Sequence, residues 1–184
     1  MLTTHYDQCR RGNTVPYGRR FKGLNRNHGF VDLRGRPDLV ARIPEIAHSV
    51  ALKALLMSAA APTSPIFTLG CDLGARQEET NEKVAMCVAG GYVQLVMASY
   101  DKTSGDTYFT FTHVITSAVE GASPGHSWEL RFECTPVDFK LDTHSGIIPS
   151  LWIWFFASAT TPLIACDSRE LLIAALHDAL ISNG

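Results

Sequence analysis

Residues 83–116 read KVAMCVAGGYVQLVMASYDKTSGDTYFTFTHVIT, and the reading of this run decides the fold. Residues 84–99 are almost wholly apolar on both parities, with Val84, Met86, Val88, Tyr92 and Val96 on one and Cys87, Val93, Leu95 and Met97 on the other. A strand covered on both faces is expected. After the polar cluster Asp101-Lys102-Thr103-Ser104-Gly105-Asp106, the chain resumes as Tyr108, Thr110 and Thr112 against Phe109, Phe111, His113 and Ile115. That is a period of two in aromatic and β-branched residues, so the run predicts a hairpin turning at 101–106.

Toward the C-terminus, Trp128, Leu130, Phe132 and Cys134 alternate with Glu129, Arg131, Glu133 and Thr135, a strand with one buried face and one face for solvent or a partner. Pro136 predicts a bend or bulge. Beyond it Val137, Phe139 and Leu141 carry the apolar pattern on the opposite parity. Residues 150–157 predict an aromatic strand, with Trp152, Trp154 and Phe156 on one parity and Leu151, Ile153 and Phe155 on the other. Three adjacent aromatics form an interface hot spot if exposed and core if covered by a helix; core is expected. Asp167 followed by Glu170 reads as a capping box opening a helix with the stripe Leu172, Ile173, Leu176, Ala179 and Leu180.

Toward the N-terminus, Gly70 to Lys83 reads as an acidic surface connection after a short strand at Ile66 to Leu69. Pro44-Glu45 predicts the start of a helix running to about Ala60. Residues 1–36, with five glycines and little periodicity, read as an irregular basic arm. The expected fold is α+β: a single antiparallel meander sheet of about five to six strands with an N-terminal and a C-terminal helix on one face. The arm 1–36 and the body 37–184 form a single domain.

With 46% apolar and 18% charged residues the chain is globular in composition, and its net charge of −2 gives no overall bias. The distribution is uneven. Residues 1–43 hold nine Lys and Arg against three acids, and the remainder holds seven against fifteen. Such a leader reads as a nucleic-acid arm or as a segment lying across its own acidic domain, and the second is favoured. The arm interleaves Arg10, Arg11, Arg19, Arg20, Lys22 and Arg26 with Tyr17, Phe21 and Phe30, which suits single strands as well as packing.

Five widely spaced cysteines read as reduced core residues, and no basic-then-apolar leader follows Met1, so a cytoplasmic protein is expected. Residues 143–166 carry no charged side chain apart from histidine, yet only Leu151 to Ala157 is uninterrupted, the length of a buried strand. The seven histidines lack paired ligand spacing, and no glycine-rich phosphate pattern occurs, so no metal and no cofactor are expected. Gly121-Ala122-Ser123-Pro124-Gly125 matches a nucleophile elbow in letters only. Proline after the serine removes an oxyanion donor, and a strand rather than a helix is expected to follow.

Cys71 and Asp72 with His113 are the candidates for a catalytic pocket, which requires His113 within reach of the thiol. Lacking a clear constellation, the sequence favours a non-enzymatic protein-binding domain, concretely a small bacterial inhibitor or immunity (antitoxin-like) protein that neutralises a basic partner. Asp72, Glu78, Glu79 and Glu82, together with the strand face Glu129 and Glu133, would meet that partner. Nucleic-acid association through the arm and a small Cys/His/Asp enzyme are the alternatives.

Overall fold

A computed structural model describes residues 1–8, 12–22, 25–79, 85–100, 103–141 and 144–183, with side chains except at 21, 22, 25, 26, 76–79, 85, 144 and 183. The chain runs β1 (Leu2–Gln8), β2 (Thr14–Val15), β3 (Arg20–Lys22), β4 (Asn25–Asn27), and 3₁₀ turns at Pro37–Arg42 and Pro44–His48. It continues with α1 (Val50–Ala59), β5 (Ile66–Glu79), β6 (Ala85–Met97), α2 (Gly105–Gly121), β7 (Ser127–Leu141), β8 (His144–Ala159) and α3 (Pro162–Asn183). Among the described residues the main sheet has the order β1-β7-β8-β6-β5, with β2 beside β1 on the same edge of β7.

The sheet is mixed, not an antiparallel meander, because β1 and β2 both run parallel to β7. Residues 105–121 are helical, so the expected hairpin after β6 does not form. β6 and β7 each pair antiparallel with β8, so they are parallel to each other, and parallel strands require a crossover rather than a tight turn. α2 is that crossover. Ser104 caps it in a reciprocal box with Thr107, and Tyr108, Phe111, Thr112, Ile115 and Val119 bury one helical stripe. The β-propensity of its threonines and aromatics yields to the cap and to tertiary burial.

Three further expectations change. The helix expected from Pro44 to Ala60 is α-helical only from Val50, where the Ser49 hydroxyl accepts from the Leu52 amide; the preceding turns are 3₁₀. α3 starts at Pro162, not at Asp167: Thr161 Oγ1 accepts from the Ile164 amide, and Glu170 Oε2 accepts from the Ala51 amide at 3.1 Å, capping α1 rather than its own helix. Residues 70–79 continue β5 after a bulge between Thr68 and Gly70, where a loop was expected.

Among the described residues all three helices lie on one face. Val93, Leu95, Leu130, Phe132, Leu151, Ile153 and Phe155 meet Leu52, Leu55, Tyr108, Ile115, Leu172, Ile173 and Leu176 in the main core. Phe155 and Ile153 are fully buried, each removal from water contributing about 1.5–3 kcal/mol. The parity change at Pro136 has a different cause from the bulge expected there. β7 pairs with β8 in continuous register through Pro136, and the apolar side chains change face instead. Val137 and Phe139 join Val15, Phe67, Leu69 and Val96 in a second core on the helix-free face.

The arm covers that second core. Val15 is fully buried, the Tyr17 hydroxyl donates to the Leu69 carbonyl at 3.0 Å, and the Phe30 ring meets Tyr17 edge-on. The Arg34 guanidinium lies over Phe67 and Phe139, 5.7 and 5.5 Å from the ring centres, while Asp32 holds it through two hydrogen bonds. Among the described residues, only part of the helix-free face is covered in this way.

Candidate binding face on the open half of the sheet

The uncovered half begins at Gln94. Its amide exchanges hydrogen bonds with Asn13 at 3.3 and 3.1 Å and donates to Ser150 Oγ, which meets Thr135 Oγ1 at 3.0 Å. Trp152 Nε1 donates to Thr135 Oγ1. This buried polar row bounds the cover that Val15, Tyr17, Phe30 and Arg34 lay over the sheet face, and it anchors the first aromatic of the open half.

Past it, strand alternation sets Tyr92 of β6 and Trp152, Trp154 and Phe156 of β8 on the same face. Trp152 and Trp154 stack 5.6 Å apart at 11°, and Tyr92 leans on both at 4.7 and 4.8 Å. All four are partly buried, not core as expected for the Trp152 parity. Helices cover only the other side.

Trp154 stands at the centre of three adjoining hollows. Toward β7, about 670 Å³ is bounded by His5, Asp7, Arg131, Glu133 and Phe156. Toward β5, about 260 Å³ is bounded by Asp72, Tyr92 and Phe156 over a floor of Gly74 and Gly90. The third, about 270 Å³, lies against Asn13, Thr135 and Trp152. Gly74 and Gly90 are cross-strand partners. A Cβ on Gly90 would sit 2.5 Å from the Phe156 ring, so that ring can lie down only over a glycine, whereas a Cβ on Gly74 would meet nothing within 4 Å.

Carboxylates rim the aromatics. Glu133 Oε2 accepts from Trp154 Nε1 at 3.4 Å, and Asp72, exposed, pairs in register with Tyr92. Arg131 forms a 2.6 Å ion pair with Glu129 and rests its guanidinium 5.3 Å over Phe156. Asp7 stands opposite Glu133 on β1. Three of the acids expected to meet a partner, Asp72, Glu129 and Glu133, therefore share one face. Glu78 and Glu79 lie at the end of β5 with side chains outside the described residues, and Glu82 lies outside them altogether.

The catalytic candidates are not brought together. Cys71 points toward the main core on β5, whereas His113 is exposed on α2, edge-on to Phe109, whose ring packs on Tyr6 of β1 at the far edge of the sheet. Burial, then Glu45 and Asp72, pushes the Cys71 thiol up, which keeps it protonated. Cys71 and Asp72 do line a cleft of about 350 Å³ between β5 and the arm, with Tyr17, Arg19, His28, Arg42, Glu45 and Tyr92. Burial also raises the Tyr92 hydroxyl, so it stays neutral. Ser123 follows α2 and its cap residue Ala122, its hydroxyl donating to the Glu120 carbonyl.

Of the arm's cations, Arg19 and Arg20 are exposed; Lys22 and Arg26 sit on β3 and β4 with side chains outside the described residues, and Arg10 and Arg11 lie outside them. Among the described residues no group of three His, Cys, Asp or Glu could hold a metal ion, and no helix is long and apolar enough to cross a membrane.

Sequence reasoning missed Tyr92, Trp154 and Phe156 as surface residues. The signal was present in the three aromatics of one parity, but which face the helices would take depended on α2, read as a strand. No family model, curated protein or solved structure matches the chain.

Proposed function

We propose that this chain is a non-enzymatic protein-binding domain whose open sheet face receives a basic polypeptide. The observation that carries the reading is Trp154, partly buried at the junction of three hollows and ringed by Asp7, Asp72 and Glu133. Large aromatics in desolvated hollows dominate binding energy, and flanking carboxylates select and steer a cationic partner. The same carboxylates oppose a phosphate backbone on this face. An inhibitor or immunity protein is the form this takes when the captured segment belongs to the partner's working surface.

Fluorescence anisotropy with labelled polycationic and polyanionic peptides tests the reading. Saturable binding of the polycation, weakened by salt and reduced at least about tenfold by Trp154→Ala, is the expected result. Absence of saturable binding, or equal binding of the polyanion, overturns it. Circular dichroism of the variant separates loss of binding from loss of fold.

A further inference from the structure

We infer that the slot between Trp154 and Phe156 reads an arginine side chain of the partner; this rests on the proposed binding of a basic polypeptide and names the group that is recognised.

The covered half of the same sheet face supplies the template. There the arm lays Arg34 over Phe67 and Phe139 while the Asp32 carboxylate grips the guanidinium. The open half repeats aromatic walls and carboxylates. Trp154 and Phe156 bound the same two hollows, and among the described residues no ring contact joins them. Phe156 already accepts one guanidinium, that of Arg131, at 5.3 Å. On the β5 side the Phe156 ring covers Gly90 and leaves an open, side-chain-free floor at Gly74, beside the exposed Asp72.

Arginine fits this arrangement better than lysine for reasons of shape. A guanidinium is planar and weakly hydrated, stacks on aromatic faces, and offers a fork of donors to a carboxylate. An ammonium keeps its water and presents a point charge. A neutral aromatic side chain would fill the slot but leave Asp72 without a cation.

The test compares an arginine decapeptide with a lysine decapeptide by intrinsic tryptophan fluorescence. The arginine peptide is expected to bind about tenfold more tightly. Gly74→Val should abolish that preference by filling the floor, and it should fold, since its Cβ enters open space. Phe156→Leu, which removes one wall, is the second variant and should do the same.

Equal affinity for the two peptides overturns the inference while leaving the basic-polypeptide reading intact, and failure of both to bind removes both. A preference that survives Gly74→Val and Phe156→Leu, or tighter binding of a phenylalanine-bearing neutral peptide or of oligouridylate, also overturns it.

Discussion

Asn13 and Gln94 exchange two side-chain hydrogen bonds, at 3.3 and 3.1 Å, although 81 residues separate them. The pair marks the line on the helix-free face where the cover laid by Val15, Tyr17, Phe30 and Arg34 stops and the aromatic hollows begin. Gln94 is almost fully buried and also donates to Ser150 Oγ. Gln94→Ala should remove both bonds to Asn13 and the donor to the fully buried Ser150 Oγ, costing about 1–3 kcal/mol in urea unfolding. Asn13→Ala should cost less, because Asn13 is only partly buried and water can replace it.

Gly12 lies directly against the backbone of Pro136 in β7. A Cβ there would sit 1.3 Å from the Pro136 carbonyl oxygen, a backbone atom that no side-chain rotation can move. Gly12→Ala is therefore expected to force Gly12 and Asn13 away from Pro136 and Asp138 of β7. The cost should be about 1–3 kcal/mol in the same assay.

Acid and base should loosen the arm by separate routes. Hydrogen bonds from Arg34 hold the Asp32 carboxyl below its usual value despite burial. Its stabilisation is present above about pH 3.9 and is lost as pH falls through the lowered folded value. Asp32→Asn should flatten that acid limb of Tm against pH. Tyr17 is raised to about 12, by burial first and then by Cys71 and Glu45. Its contribution is intact below about pH 10 and is lost as pH rises through the folded value. Tyr17→Phe should remove this alkaline limb, at a cost of about 0.5–1.5 kcal/mol for the bond to Leu69.

Tyr108 ties the crossover helix to the sheet. Its buried hydroxyl donates to the Pro149 carbonyl and accepts from the Met97 amide. Tyr108→Phe should cost about 1–3 kcal/mol by leaving both groups unpaired. Ser104→Ala should cost about 0.5–2 kcal/mol by removing the cap. Guanidinium unfolding followed by far-UV circular dichroism measures both.

Much of the architecture was legible where one physical constraint dominates. The alternation of Trp128 to Cys134 marks β7, the run at Leu151 to Ala157 marks β8, and the Leu172 to Leu180 stripe marks α3, with the helices on one face. What escaped was set by non-local pairing. β1, LTTHYDQ, is an edge strand whose exposed Thr3, His5 and Asp7 hide its pattern. α2 carries strand-like residues but must be a helix because β8 lies between β6 and β7. Asp72, Glu129 and Glu133 were legible as charges for a partner, but the aromatics between them were not, since burial of the Trp152 parity depends on where the helices pack.

The three indole N–H groups report separately on the main core and on the open sheet face. Trp128 Nε1 is bonded to Ser168 Oγ in the main core, while those of Trp152 and Trp154 meet Thr135 and Glu133 on the open face. In a ¹⁵N-correlated spectrum titrated with a cationic peptide, the Trp152 and Trp154 indole signals should shift saturably and that of Trp128 should stay in place. Movement of Trp128 alone, or no saturable movement of Trp152 and Trp154, would contradict the assignment of the open sheet face as the binding surface.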